Sequence, residues 1–143
     1  MDTSKRIPER TIFPKGEKIS GESIANDHFT GTVWLQVLVP DERTFNCPMF
    51  NVTFEPGARN NWHKHPGGQL LLVTGGKGYY QEWGRKAQVI REGDVVKIRP
   101  DVKHWHGAAP DSWLSHIAIS TNVQAGDAGW LEPVTDEEYH NLP

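Results

Sequence analysis

Histidines that could bind a metal are concentrated in one part of the chain. Five of the seven histidines lie between positions 63 and 116, as two pairs with a spacing of two residues and one single position: His63, His65, His104, His106 and His116. In an extended strand, side chains two residues apart point to the same face, so each pair presents two imidazoles together. Imidazole nitrogens suit divalent transition metals, and three of them with one oxygen donor form a stable site.

Gln69 is a candidate oxygen donor for such a site. It follows His65 by four residues, and the intervening Pro66-Gly67-Gly68 can turn the chain so that its side chain returns to the histidines. Histidines also serve as hydrogen-bonded structural residues. From the residues alone, the metal-site and structural interpretations both stay open.

The elements that must position these residues are short strands. The 14 glycines and 10 prolines are spread between short apolar segments, which is typical of an all-β domain with many turns. The strand candidates cover residues 30–39, 49–54, 69–73, 78–82, 87–90, 95–98, 104–107 and 113–119. Because strands do not alternate with helices, the pattern favours a β-sandwich or a small barrel over a parallel sheet.

The two ends of the chain differ from this central region. Residues 1–28 are polar and contain two prolines, so we expect an irregular arm there. Thr135, followed three residues later by Glu138, is a capping-box pattern and predicts a short helix that ends near Pro143. The sequence thus predicts an arm over 1–28, a barrel over 29–130 and a tail with a short helix over 131–143.

Composition excludes several classes of partner. The 15 basic and 18 acidic residues give a formal charge of −3, which argues against binding to nucleic-acid phosphates. No run of about 18 apolar residues predicts a membrane span, and the N-terminus lacks the apolar segment of a secretory signal. The single cysteine, Cys47, cannot form an internal disulfide, and we interpret it as a buried apolar thiol. We expect a cytoplasmic protein with a small-molecule substrate and no nucleic-acid or membrane partner.

Two segments resemble the motifs of the cupin superfamily. The first comprises Gly57, the pair His63 and His65, Gln69 and Gly76, and the second comprises Gly93 and His104, all at the spacing of the family pattern. The resemblance implies an all-β fold, a small double-stranded β-helix also described as a jelly-roll barrel. It also implies one divalent transition metal, bound by His63, His65, Gln69 and His104.

The chain departs from the general family pattern at three positions. Gln69 stands where the family usually has Glu, Asp101 stands in place of a turn glycine, and Ala108 replaces an expected Asn. Asp tolerates the left-handed conformation better than most residues, so the turn can persist. The amide of Gln69 leaves the ligand set uncharged, which makes a bound dication a stronger Lewis acid.

Shorter stretches narrow the resemblance to small bacterial cupins that act as hydroxynitrile lyases. They are FTGTV, FEPGAR, WHKHP, KHWHGAAP and VTDEEY, and similar stretches occur in cupins associated with carboxymuconolactone decarboxylase. The lyases cleave or form (R)-cyanohydrins such as mandelonitrile at a site with three histidines and a glutamine. The resemblance implies manganese as the favoured metal, with Fe, Ni, Co or Zn as alternatives, and a homodimer or higher homo-oligomer in which the arm crosses to a second barrel.

The remaining central histidines are candidate catalytic residues. His106 shares the face of His104, and an imidazole with its ordinary pKa of ~6.5 can act as a general base near neutrality. His116 is the alternative base if its strand face lines the barrel interior, and a structural role is open for both. We expect Leu71 and Val73 to line the substrate pocket, and Trp105 to point out of the barrel toward a subunit contact. We expect Arg59 to serve in a turn or a salt bridge.

Three functions fit these residues. The first is a metal-dependent lyase that cleaves or forms cyanohydrins of small aldehydes. The second is a dioxygenase that uses Fe or Ni, which would stop without O₂. The third is a non-enzymatic cupin that binds a metal or a small molecule; the sequence has no helix-turn-helix pattern that would make it a DNA-binding sensor.

Overall fold

The computed structural model describes residues 17–19 and 27–143 of the chain. The described residues form twelve strands, a 3₁₀ turn between the last two strands and one short α-helix, and residues 27–28 are also in 3₁₀ conformation. The strands are β1 (Glu17–Ile19), β2 (Phe29–Thr30), β3 (Val33–Val39), β4 (Met49–Phe54), β5 (Arg59–Asn60), β6 (His63–Lys64), β7 (Gln69–Glu82), β8 (Gln88–Arg91), β9 (Val95–Ile98), β10 (His104–Ala108), β11 (Leu114–Ser120) and β12 (Gly129–Trp130). The 3₁₀ turn is Val123–Ala125, and α1 is Asp136–His140.

The strands form one antiparallel sheet that curls into a nearly closed barrel. The hydrogen-bonded order is β1-β3-β4-β11-β7-β10-β5-β2, with β8 and β9 on β7, and β6 between β10 and β12. The long strand β7 belongs to both halves of the barrel, because its first part pairs with β9 and β11 and its second part pairs with β8 and β10. The all-β jelly-roll barrel predicted from the sequence is confirmed.

Two predicted strand boundaries were wrong, both at glycines. The predicted strands 69–73 and 78–82 are one continuous strand, because Gly75 and Gly76 stay in the ladder opposite Ser115 and Leu114, with a φ of 79° at Gly76. A Cβ on Gly76 would clash with the carbonyl oxygen of Trp113. Conversely, the single predicted strand over 30–39 is two strands, since Gly31 turns the chain between β2 and β3 with a φ of 85°.

The barrel interior holds the main apolar core. Fully buried side chains from both halves meet there, including Val33, Phe54, Leu71, Ile98 and Leu114. Burying each such side chain stabilises the fold by roughly 1.5–3 kcal/mol before the entropy cost of ordering it. The core side chains do not fill the space beside the central histidines, and a cavity remains there.

A second apolar cluster lies on the outer side of the barrel, under the C-terminal segment. It consists of Trp62, Tyr79, Trp105, Ala109, Val134 and Tyr139. Trp105 does point out of the barrel, but its own chain covers it completely, so its predicted role in a subunit contact was wrong. The Trp105 indole donates to Gln81 Oε1 at 2.9 Å, which satisfies its buried N–H.

The C-terminal helix is fastened to the barrel wall that carries part of the histidine cluster. The predicted capping box at Thr135 and Glu138 is present in full. The buried guanidinium of Arg59 on β5 binds the Asp136 carboxylate at 2.7 Å, as the salt-bridge interpretation predicted, and also the carbonyl oxygen of Val134 at 2.9 Å. The Tyr139 hydroxyl donates to the carbonyl oxygen of Ala108 on β10 at 2.6 Å.

Of the predicted arm, the structure describes residues 17–19 and 27–28. Residues 17–19 form the edge strand β1 on β3, which the polar composition did not indicate. Arm residues 1–16 and 20–26 lie outside the described part. The arm boundary at residue 28 and the barrel boundary at residue 130 stay predictions. Cys47 is half-buried rather than buried, since it lies in the loop between β3 and β4. No helix among the described residues is long and apolar enough to span a membrane.

Candidate metal centre

Five imidazoles come together at one end of the barrel. His63 on β6 and His104 on β10 face each other across the strand pair, with ring centroids 4.2 Å apart. His65 follows β6, and its ring lies 5.0 Å from that of His63 and 5.5 Å from that of His104. His106 on β10 and His116 on β11 adjoin this group. The histidines that their two-residue spacing places on the same strand face therefore also lie close together in the fold.

Backbone carbonyls orient two of these rings. His63 Nδ1 donates to the carbonyl oxygen of Asn61 at 2.8 Å, and His104 Nδ1 donates to that of Val102 at 2.8 Å. Because a carbonyl oxygen only accepts, each Nδ1 bears the proton and each Nε2 has a free lone pair. This tautomer is the one that a metal-ligating histidine uses, with its second nitrogen fixed by a hydrogen bond.

Three buried histidine ring nitrogens lack a hydrogen-bond partner. They are Nδ1 of His116 and, close to His63, the pair formed by Nε2 of His65 and Nε2 of His104. A buried polar atom without a partner costs free energy, so such atoms usually indicate that a ligand or ion completes the site. A divalent transition metal fits this pair of lone pairs and the oriented Nε2 of His63.

Gln69 begins β7, directly after the turn that follows His65. The turn is held by the carbonyl oxygen of His65, which accepts from the backbone N–H groups of Gly68 and Asp101, both at 3.0 Å. Asp101 has a φ of 63°, so it adopts the left-handed conformation for which the family uses glycine. Gln69 is buried and lines the same cavity as His63 and His65.

A different trio of histidines also has ring nitrogens close enough together to hold a metal ion. One nitrogen each of His63, His104 and His106 lie within 4.8 Å of one another, and all three residues are buried. The ring of His106, however, already has partners. Its Nδ1 lies 3.1 Å from His116 Nε2, and the Asn60 amide nitrogen lies 3.2 Å from its Nδ1 and 3.1 Å from its Nε2. Both ring nitrogens of His106 thus have hydrogen-bond partners, whereas Nε2 of His65 and Nε2 of His104 have none.

Burial keeps these imidazoles uncharged. Loss of solvation lowers the pKa of His65, His104 and His116 to about 4. The same cause, with repulsion from neighbouring imidazoles, holds the pKa of His63 and His106 well below the ordinary value. At neutral pH every ring therefore offers a lone pair, which both metal binding and proton abstraction require.

A cavity of about 330 Å³ opens onto the histidines. Its apolar wall is formed by Phe29, Leu35, Phe50, Val52, Phe54 and Trp130. The prediction that Leu71 and Val73 line it was wrong, because both side chains pack into the barrel core. The strands β3 and β4 supply much of the wall instead.

Sequence reasoning missed several residues of this site. Trp130 stacks on His63 with ring centroids 4.6 Å apart, and Phe54 contacts His106 and His116 at 5.8 and 5.5 Å. Asn60 is buried against His106. A signal for Asn60 existed in the sequence, since an amide directly after Arg59 on a short strand must face inward if the arginine faces outward.

Comparison with known proteins agrees with this geometry. The sequence model of the family described as "Cupin domain" matches residues 50–117. A protein named (R)-mandelonitrile lyase from Granulicella tundricola is 45% identical over 124 residues, which cover 87% of this chain and 94% of that protein.

Solved structures show the same fold. A cupin-like protein from Thermotoga maritima superposes with a TM-score of 0.83 at 55% identity, over 89% of this chain and 92% of that one. A cupin-2 domain protein from Rhodospirillum rubrum gives a TM-score of 0.66 at 16% identity, over 85% of this chain and 77% of that one, and so shares the fold. Together with the barrel and its histidine motifs, these matches place the chain in the cupin family.

Proposed function

We propose that this cupin is a metal-dependent lyase of the hydroxynitrile lyase type, which cleaves or forms cyanohydrins of small aldehydes. The relative at 45% identity is named for this activity on (R)-mandelonitrile. The observation that supports the proposal in this chain is the position of His106. Its uncharged ring adjoins two of the proposed ligands, His63 and His104, on one side and the buried imidazole of His116, and it lies at the wall of an apolar cavity.

For the metal ligands we propose His63, His65, Gln69 and His104. The free buried Nε2 atoms of His65 and His104 and the oriented ring of His63 support this set. His106 is the weaker candidate ligand because Asn60 and His116 occupy its ring nitrogens. A divalent metal, manganese by the family resemblance, supplies Lewis acidity that favours the ionised form of a substrate hydroxyl.

For the general base we propose His106, whose ring contacts His116. In cleavage, Nε2 of His106 exchanges its contact with the Asn60 amide for the cyanohydrin hydroxyl and takes the proton of that hydroxyl. The bond between the carbinol carbon and the nitrile carbon breaks, and its electron pair leaves with cyanide while the oxygen forms the aldehyde carbonyl. The imidazolium then returns its proton to cyanide, which departs as hydrogen cyanide. The buried site favours this return, because burial disfavours a charged ring.

The cavity supports a substrate with an apolar body. Aromatic and aliphatic side chains form most of its wall, and a volume of about 330 Å³ suits a single aromatic ring with a short substituent. The cyanohydrin hydroxyl would therefore lie against the histidines, and the aromatic body of the substrate would lie against the apolar wall. The reverse reaction uses the same groups with the steps inverted.

The test combines metal analysis with activity. Purified protein should contain about one equivalent of a divalent metal, cleave mandelonitrile to benzaldehyde, lose that activity on chelation and regain it with manganese. The rate should be equal with and without O₂, since no step uses an oxidant. Metal-loaded protein that is inactive on cyanohydrins would contradict the proposal and favour the non-enzymatic alternative. Activity that requires O₂ would favour the dioxygenase. A homodimer and a cytoplasmic location stay predictions from the sequence.

A further inference from the structure

We infer that Lys103 is a positioning residue for the metal centre, because from the outer face of the barrel it joins the two chain segments that carry His63 and His104. The inference rests on the proposed function for the assignment of these two histidines as metal ligands. We therefore expect metal affinity to depend on a lysine whose side chain faces away from the site.

Lys103 and Trp62 lie directly before the two facing ligands. Lys103 precedes His104 on β10, Trp62 precedes His63 on β6, and the two histidines pair across these strands. Because neighbouring side chains along a strand point to opposite faces, the residue before each inward ligand points outward. Trp62 accordingly packs in the outer apolar cluster, and the Lys103 ammonium lies 5.6 Å from the centre of its ring. One contact on the outer face thus joins the two segments whose inner side chains are the ligands.

The Lys103 ammonium has two further partners. It lies 3.5 Å from the centre of the Trp83 ring, which packs edge-on against Trp62 with ring centroids 4.8 Å apart. It also donates to the Glu132 carboxylate at 2.8 Å. Only 21% of the Lys103 side chain is exposed, and a cation contacts aromatic rings more strongly where water is excluded. The ammonium is therefore held in one place by an ion pair and by two rings.

Backbone hydrogen bonds connect the same four residues. The Trp83 N–H donates to the carbonyl oxygen of Lys103 at 2.8 Å, and the Trp62 N–H donates to that of Glu132 at 3.0 Å. Trp83 follows β7 and Glu132 follows β12, so segments from four places in the chain meet at the Lys103 side chain. We call these four residues the outer clamp.

The outer clamp includes the middle residue of both segments that hold a ligand ring. In each segment a carbonyl oxygen, that of Asn61 or that of Val102, accepts from Nδ1 of the ligand two residues later. The segments 61–63 and 102–104 therefore each run from an orienting carbonyl through a clamp residue to a ligand. Without the clamp the two segments can shift relative to each other, and the ligand nitrogens are then less well arranged for a metal. Loss of such supporting contacts typically lowers metal affinity by about 10- to 100-fold.

Lys103→Met is the test variant, because it removes the charge and keeps an unbranched apolar side chain. Lys103→Arg keeps a cation that can pair with Glu132 and contact the two rings. Lys97→Met is the matched control, since Lys97 is an exposed lysine on β9 and lies outside the clamp. Each metal-stripped protein is titrated with Mn²⁺, and the free ion is measured by its electron paramagnetic resonance signal.

We expect the Kd for Mn²⁺ to rise about tenfold in Lys103→Met, the lower end of the effect of groups that contact a ligand directly. Lys103→Arg should recover most of the wild-type affinity, and Lys97→Met should bind as tightly as wild type. Wild-type affinity in Lys103→Met would overturn the inference. Equal weakening by Lys103→Met and Lys97→Met would also overturn it.

A second control separates positioning from a general loss of stability. Asp136→Asn removes the ion pair of Arg59, a cation that also lies over an aromatic ring, that of Tyr139, but that pair does not join the ligand segments. Urea unfolding of the metal-stripped proteins gives the stability of each variant. Lys103→Met should weaken Mn²⁺ binding more than Asp136→Asn does, even where the two lose similar stability. Weakening in proportion to lost stability in both variants would contradict a positioning role.

Turnover of mandelonitrile at saturating Mn²⁺ separates this inference from the proposed function. If Lys103→Met weakens Mn²⁺ binding as expected but wild type cleaves no mandelonitrile, the positioning role stands and the lyase assignment fails. If wild type cleaves mandelonitrile but Lys103→Met binds Mn²⁺ as wild type does, the lyase assignment stands and the positioning role fails. Wild-type protein that binds no Mn²⁺ would overturn both.

Discussion

The side chain of Asn60 holds His106 at two points. Its Oδ1 accepts from the backbone N–H of His106 at 2.9 Å, and its Nδ2 lies 3.1 Å from the Nε2 of the same residue. Because a backbone N–H only donates, the amide oxygen must face the backbone, and the amide nitrogen must face the ring. The ring nitrogen that meets it therefore accepts, so this contact favours the uncharged form of His106.

We predict that Asn60→Ala lowers turnover of a cyanohydrin by about 10- to 100-fold while leaving the metal content unchanged. The substitution removes the groups that orient the proposed base, and the loss of such supporting hydrogen bonds typically has an effect of this size. Steady-state kinetics and elemental analysis on the same preparation measure both quantities. Asn51→Ala is the control for destabilisation alone, because Asn51 is also a buried asparagine on a strand but hydrogen-bonds Ser115 rather than a histidine. Equal losses in the two variants would contradict a positioning role for Asn60.

The part of this site that local spacing determines could be predicted from the sequence. His63 and His65 share a face because strand side chains alternate, and Gln69 returns to them through a turn whose residues are adjacent in the chain. Asp101 adopts the left-handed conformation in the turn position that the motif assigns to it. These relationships involve few residues, so pattern and turn chemistry are sufficient.

The other contacts of the site depend on strand pairing between segments that are distant in the sequence. Asn60 reaches His106 because β5 pairs with β10, and Trp130 reaches His63 because β12 pairs with β6. Neither pairing has a signal in composition or periodicity, since strands of two residues are too short to show alternation. The same reason explains the error over Trp105, where a C-terminal segment far along the chain covers an outward-facing ring.

The proposed ligand set predicts a contrast between His65 and His106. His65→Ala should lose stoichiometric metal, because it removes a free buried Nε2, as should His63→Ala and His104→Ala. His106→Ala should keep the metal and lose about 10²- to 10⁴-fold in turnover, as expected for a general base. Elemental analysis after gel filtration with a chelator distinguishes the variants. Metal retained in His65→Ala and lost in His106→Ala would assign the third nitrogen to His106, which belongs to the other trio.

Stability of the metal-stripped protein should fall as the pH falls below about 6.5. Unfolded histidines titrate near pH 6.5, whereas burial holds the pKa of His65, His104 and His116 at about 4 in the folded chain. Between these values the unfolded chain binds protons that the folded chain excludes, so the free energy of unfolding decreases with decreasing pH. Above pH 6.5 neither state binds them, and this loss disappears.

Urea unfolding at pH 7, 6 and 5 measures this dependence. His116→Asn should make this decrease in the free energy of unfolding shallower, because the variant lacks a ring whose pKa burial lowers. The difference between the two proteins should be at most about 1.4 kcal/mol for each pH unit sampled below 6.5. His140→Asn is the matched control for the loss of an imidazole, because His140 is exposed at the end of α1. An identical slope in wild type and His116→Asn would show that His116 is not held uncharged by burial.

The amide at position 69 gives the final prediction. Gln69→Glu keeps the length of the side chain and adds one negative charge to the proposed ligand set. A carboxylate is a better donor than an amide for hard and borderline dications, so metal affinity should rise. The added charge should also weaken the Lewis acidity of the centre and raise the pKa of a bound substrate hydroxyl. Cyanohydrin turnover should therefore slow, and its pH–rate profile should shift upward.

Chelator competition and a pH series on the two proteins test both halves of this prediction. Gln88→Glu adds the same charge on the exposed side of β8 and should change neither quantity. A variant that binds metal more tightly yet keeps the wild-type rate and pH profile would mean that Lewis acidity does not limit the reaction. Unchanged metal affinity would remove Gln69 from the ligand set, since a carboxylate in contact with a dication cannot leave its binding unaffected. The lyase proposal requires that the affinity and the rate change in opposite directions.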